Sequence, residues 1–186
     1  TGKTEITAIA AFLRIIERRS TGDIVLITAH THTAIDNLLL RLEGHLEILK
    51  QHAKDFGQNI PPIQLSRVDS RNDKVFQDKN IHTFSSKPCF TDVNRIRKNS
   101  LLVIGGTTNS ILKMVNELQT KKTFMRDYLQ GFQTNTLIID EASMMVFPHF
   151  LALATLVSSD GEIMLAGDHR VLRLHGVKCD DRNILH

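Results

Sequence analysis

At 186 residues and 41% hydrophobic content the chain has material for one ordinary core, since domains commonly run to about 100 to 200 residues. A single domain is expected. Twenty-three Lys and Arg against twenty Asp and Glu leave a net charge of +3, which permits a polyanionic partner without requiring one. Two cysteines without a CxxC pair exclude a disulfide scaffold and a cysteine zinc site, and no apolar run reaches the roughly 18 to 20 residues of a membrane span. The expectation is a soluble protein of a reducing compartment, cytoplasmic, or nuclear if the source is eukaryotic.

The predicted elements begin within the first four residues. Thr1-Gly2-Lys3-Thr4 leads straight into Thr4 to Arg19, where Ile6, Ile9, Ala10, Leu13 and Ile16 recur at three- and four-residue steps; this predicts a helix burying that set. Ser20-Thr21-Gly22-Asp23 breaks it. Ile24-Val25-Leu26-Ile27, an unbroken and largely β-branched run, suits a parallel strand covered on both faces. Past AHTHT, a second helix is predicted from about Ala34 to Lys50, with Leu38, Leu39, Leu42, Leu46 and Leu49 on its apolar side.

Periodicity weakens between about 51 and 100. FGQNIPP is a turn-rich break, IQLSRV a short strand, and SRNDKVFQDKN polar and poorly periodic, so this stretch reads as an irregular excursion, not a second domain. Leu101-Leu102-Val103-Ile104 is the next strand, GGTTNS its exit loop, and Ile111 to Leu118 a helix. Thr136-Leu137-Ile138-Ile139 and Glu162-Ile163-Met164-Leu165-Ala166 are two further strands that run toward acidic residues. Strands alternating with helices, with polar residues past their C-terminal ends, describe a wound parallel α/β sheet whose ligands sit at those ends. No repeat or low-complexity tract interrupts the pattern.

Thr1-Gly2-Lys3-Thr4 matches the last four positions of the phosphate-binding loop GxxxxGK[ST], immediately ahead of a helix. Gly2 lets backbone N–H groups approach phosphate, the helix N-terminus adds a positive dipole, Lys3 reaches the outer phosphates, and the Thr4 hydroxyl ligates Mg²⁺. The first glycine of the pattern is not in the chain, and a strand ending in a glycine-rich turn is expected ahead of Thr1. LIIDEAS supplies the other half of such a site: Asp140, at a strand end, holds the hydration shell of Mg²⁺, and Glu141 polarises an attacking water. The competing reading of Asp140-Glu141 is an acidic pair at the start of the following helix.

Four blocks in order, TGKT, VLITAHTHTAIDNLL, LIIDEAS and LAGDHR, resemble motifs I, Ia, II and III of superfamily-1 helicases of the Upf-like and senataxin-like type, from Thr1 to about Arg170. The resemblance implies a RecA-like P-loop NTPase domain, the first of two, incomplete at both ends, with helices on both faces of a wound parallel sheet. It implies ATP and Mg²⁺ as cofactors, held by Thr1, Gly2, Lys3 and Thr4, with Thr4 and Asp140 on the metal and Glu141 as catalytic base. Single-stranded or duplex nucleic acid, DNA or RNA, is the implied partner. Thr31, His32 and Thr33 of motif Ia would touch its backbone, and so would Thr107 and Thr108 of IGGTTNS, which resembles motif Ib; Gly105-Gly106 also reads as a simple turn. A second RecA-like domain, absent from the chain, would supply arginines to the transferring phosphoryl group.

Motif III would couple nucleotide to nucleic acid through Gly167, Asp168, His169 and Arg170, but the position of its phosphate-sensing Gln is Val171, which cannot donate a hydrogen bond. Coupling is then weakened or carried by another residue. The tail 171–186 departs from the family pattern, through divergence or a corrupted reading frame. The alternative function is a decayed, non-catalytic module acting as a nucleic-acid or protein scaffold, against which intact Lys3, Thr4, Asp140 and Glu141 argue. His30 and His32 read as polar loop residues or a partial metal pair, His149 and the other scattered histidines as surface or core, and most of the aromatics as core.

Overall fold

The computed structural model describes residues 2–18, 22–57, 60, 62–69, 79–85, 100–120 and 132–167. In chain order these form α1 (Gly2–Arg18), β1 (Ile24–Ala29), α2 (His32–Asp55), β2 (Ile63–Asp69), β3 (Ile81–Ser85), β4 (Leu101–Thr107), α3 (Thr108–Thr120), β5 (Thr134–Ile139), a 3₁₀ turn (Ala142–Met144), α4 (Phe147–Ala154) and β6 (Val157–Leu165). The six strands make one sheet in the order β3-β2-β4-β1-β5-β6, and every pairing is parallel.

The three central strands are buried because their sequences are apolar on both faces. Val25 and Ile27 of β1, Val103 of β4 and Ile138 of β5 point into a core closed by α1 and α2, while Leu26, Ile104, Leu137 and Ile139 point into a second core under α3 and α4. Alternation within each strand thus feeds two helical layers, as a parallel sheet demands. The wound parallel sheet with helices on both faces is the expected fold.

Three local expectations are corrected. First, α1 forms but turns another face inward. Ala8, Ala11 and Ile15 are fully buried, whereas Ile6, Ile9 and Leu13 are 69%, 42% and 59% exposed. The alanines lie on the opposite side from that stripe and let α1 approach α2 and the sheet closely, so the buried face is the one with the smaller side chains.

Second, Gly105 and Gly106 are strand residues, not an exit loop, and α3 starts at Thr108 without a connecting loop. A Cβ at Gly105 would lie 2.9 Å from Leu39 Cδ1, and one at Gly106 would lie 3.0 Å from Ile111 Cδ1. The glycines let a helix on each face press directly on β4, which outweighs their poor strand propensity. Third, the excursion contains two strands of the sheet, β2 and β3, where only the first was expected; β3 pairs Ile81 with Leu65 and Phe84 with Val68.

An ion pair lies inside the α2 layer. Arg67 of β2, 2% exposed, sets Nε 2.6 Å from Asp36 Oδ1 and donates from Nη2 to Asp36 Oδ2 at 3.0 Å. Asp36 is in the second turn of α2, so the pair pins the start of that helix to the sheet. At the other flank β6 is an edge strand, and among the described residues nothing pairs with its outer side.

Candidate functional site

The C-terminal ends of β1, β4, β5 and β6 meet along one edge of the sheet, and two cavities open there. Asp140 follows β5 directly. Its N–H donates to the Thr28 carbonyl at 2.8 Å, which keeps it in the ladder, and its side chain is buried at 7% exposure. The Thr7 hydroxyl sits between two acceptors, 3.1 Å from the Lys3 carbonyl and 3.4 Å from Asp140 Oδ1. That hydroxyl joins the first turns of α1 to the carboxylate.

The first cavity, about 580 Å³, lies between α1 and the loops after β5 and β6, and Lys3, Thr4, Asp140, Glu141 and Gly167 line it. Gly167 packs against the 3₁₀ turn, where a Cβ would lie 3.1 Å from the Ser143 nitrogen. The Ala142 N–H donates to the Ala166 carbonyl at 2.8 Å, and the Ala166 N–H to the Ile139 carbonyl at 2.8 Å. The loops after β5 and β6 are therefore tied back to back. A lysine ammonium, a threonine hydroxyl and a buried carboxylate facing one space are the donor set that a magnesium-bound polyphosphate requires.

The second cavity, about 520 Å³, lies on the other side of Asp140 and Glu141, with walls from the loop after β1, from the junction of β4 with α3 and from the start of α4. Thr31 caps α2, its hydroxyl accepting from the Ala34 N–H at 3.2 Å. Thr108 is buried with its hydroxyl 3.2 Å from that of Thr28, and Thr107 is buried with its hydroxyl 2.9 Å from that of Ser110. Glu141 itself is exposed and adopts the left-handed conformation, φ 53° and ψ 38°, the one non-glycine residue with positive φ among those described. That conformation costs a non-glycine residue of order 1 kcal/mol and accumulates at functional sites.

A sequence profile of the AAA domain family matches residues 1–173. The chain belongs to that family. It is a P-loop NTPase domain, with the RecA-like parallel sheet that such a domain uses. No curated protein matches the chain.

Within this AAA domain the expected site residues fall into three groups. Lys3, Thr4, Asp140, Glu141 and Gly167 converge on the first cavity, with Gly2 exposed at the start of α1. Thr31, His32, Thr107 and Thr108 line the second cavity, whereas Thr33 is exposed and lines neither. Thr1, Asp168, His169, Arg170 and Val171 lie outside the described residues.

Sequence reasoning missed Asn109, Met144, Met145, Val146 and His149 in the wall of the second cavity. The signal was their position within ten residues of two motif-bearing strand ends, and the methionines and valine were masked by resembling core. His149, half-buried, lines this cavity. Among the described residues no group of three or more His, Cys, Asp or Glu is arranged to hold a metal, and no helix is long and apolar enough to cross a membrane.

Proposed function

We propose that the chain is the first, ATP-binding motor domain of a superfamily-1 nucleic-acid helicase or translocase. The observation that carries this reading is the pairing of cavities: Lys3 and Thr4 face Asp140 and Glu141 across the first, and Thr31, His32, Thr107 and Thr108 surround the second immediately beside it.

In this reading Lys3 neutralises the outer phosphates, Thr4 and Asp140 hold Mg²⁺, and Glu141 takes the proton of the attacking water. The metal supplies charge neutralisation on the phosphate oxygens. Burial of Asp140 and its tie to Thr28 keep the carboxylate where the strand ends, and the exposed Glu141 is free to reach water in the first cavity. In the second cavity, hydroxyls and loop N–H groups would grip a sugar-phosphate backbone, contacts that fix position without reading sequence. Thr107 and Thr108 are buried, so they would act by shaping the wall while the exposed Thr31 and Asn109 and the half-buried His32 meet the strand.

A second RecA-like domain supplying arginines completes the ATP site in this reading, and the isolated 186-residue chain should hydrolyse ATP hardly at all. Glu141→Gln in the full-length protein is the test. Nucleotide binding should survive while turnover drops by at least about 100-fold, the low end of what a general base contributes. Unchanged turnover, or vigorous unwinding by the isolated chain, would sink the assignment.

A further inference from the structure

The two cavities share one wall. Among the described residues that line them, Asp140, Glu141 and Met144 are common to both. Asp140 is buried and locked into the ladder through Thr28. Glu141 is held in the left-handed conformation, and its carbonyl accepts from the Met144 N–H at 2.9 Å. Met144 is the apolar member of the three: it is 56% exposed and carries three side-chain torsions, with a polarisable thioether that packs equally well in several arrangements.

The backbone under Met144 is tied to both sides. Through Ala142 and Ala166 it is bonded to the loop after β6, which lines the first cavity, and the next two residues, Met145 and Val146, line only the second. Among the described residues common to both cavities, Met144 is the one that brings an exposed, flexible and apolar side chain to the shared wall.

We propose that Met144 couples the two sites by displacement. This rests on reading the first cavity as the Mg–nucleotide site and the second as the nucleic-acid site. A polyphosphate filling the first cavity drives the Met144 side chain into the second, and a strand filling the second drives it back. Each ligand then weakens the other. The expected coupling lies in the lower part of the usual range of about 5- to 150-fold, because one side chain carries it.

The experiment is a binding cycle on the full-length protein, with a non-hydrolysable ATP analogue plus Mg²⁺ and a short fluorescent oligothymidylate as probes. Oligonucleotide affinity is measured with and without saturating nucleotide, and nucleotide affinity with and without oligonucleotide; linkage requires the two factors to be equal. In the wild type each ligand should weaken the other about fivefold or more. Met144→Ala should bring both factors to within about twofold of unity whatever the separate affinities are, and Met144→Leu, of similar volume, should retain most of the coupling. Equal coupling in wild type and Met144→Ala overturns the proposal alone, as does a wild type in which the ligands ignore or strengthen each other. A wild type that fails to bind one of the probes overturns the site reading as well, and is recognised before any variant is made.

Discussion

Arg67 and Asp36 give the sharpest stability test. The guanidinium is 2% exposed and meets the carboxylate at 2.6 and 3.0 Å, a two-pronged contact between β2 and the second turn of α2. Removing one partner of a buried pair costs about 3 to 5 kcal/mol, because a charge remains in a low-dielectric site without its counter-charge. Asp36 retains 17% exposure, so water reaches that end of the pair and the lower part of the range applies to losing Arg67. Losing Asp36 takes the facing carboxylate from the more deeply buried guanidinium and should cost nearer the top. For a chain of this size a cost of 3 to 5 kcal/mol corresponds to a fall in Tm of roughly 6 to 20 °C. Asp36→Leu, Arg67→Met and the double variant, compared by urea and thermal unfolding, form the cycle. The double variant should recover most of the loss, since replacing both charges with apolar groups is often close to neutral. If Asp36→Leu costs less than about 1 kcal/mol, the value of an ordinary surface pair, the burial argument is wrong.

Three further outcomes follow from the site and its supports. Glu141→Gly relieves a left-handed non-glycine residue and should raise stability by about 0.5 to 1 kcal/mol in urea unfolding while abolishing turnover, a trade common where strain serves function. Gly105→Ala places a methyl group against the fully buried Leu39 and should lower stability by about 1 to 2 kcal/mol, the overpacking cost less the gain from a stiffer unfolded chain. Thr31→Ala removes the N-cap of α2 and should cost about 1 kcal/mol in thermal unfolding, with weaker oligonucleotide binding in the same variant if its loop is part of the track.

The central fold was legible because β1, β4 and β5 carry apolar residues on both faces, a pattern with few other uses. β3 escaped notice for the opposite reason. IHTFS is five residues long at the sheet edge, with Ile81 buried and His82 and Thr83 exposed, and so short an alternation is indistinguishable from a polar loop. Gly105-Gly106 misled because composition speaks of the residue, whereas the need for glycine came from Leu39 and Ile111 on elements distant in sequence. The α1 error was one of choice between two apolar sides, and larger side chains are not the more buried when close approach favours alanine. Lys3, Thr4, Asp140 and Glu141 stood out as local strings, and the fold brings all four to one cavity. The second cavity was only half readable, because Met144, Met145 and His149 join it through the neighbour relation of β1, β4 and β5, which no single segment encodes.

The outer flank of β6 has a practical consequence for handling the protein. Ile163 and Leu165 stand 40% and 51% exposed on one face of an edge that nothing pairs among the described residues, and Ile6, Ile9 and Leu13 form an open stripe on α1, which Arg14 links to β6 through Glu162 at 3.8 Å. Natural edges are usually guarded by lysine, proline or a covering element. Asp160 and Glu162 guard only the first part of this strand, and among the described residues Ile163-Met164-Leu165 has no such gatekeeper. Chains left with this flank bare would adhere to one another by strand addition, and their solubility would fall with concentration long before their fold failed.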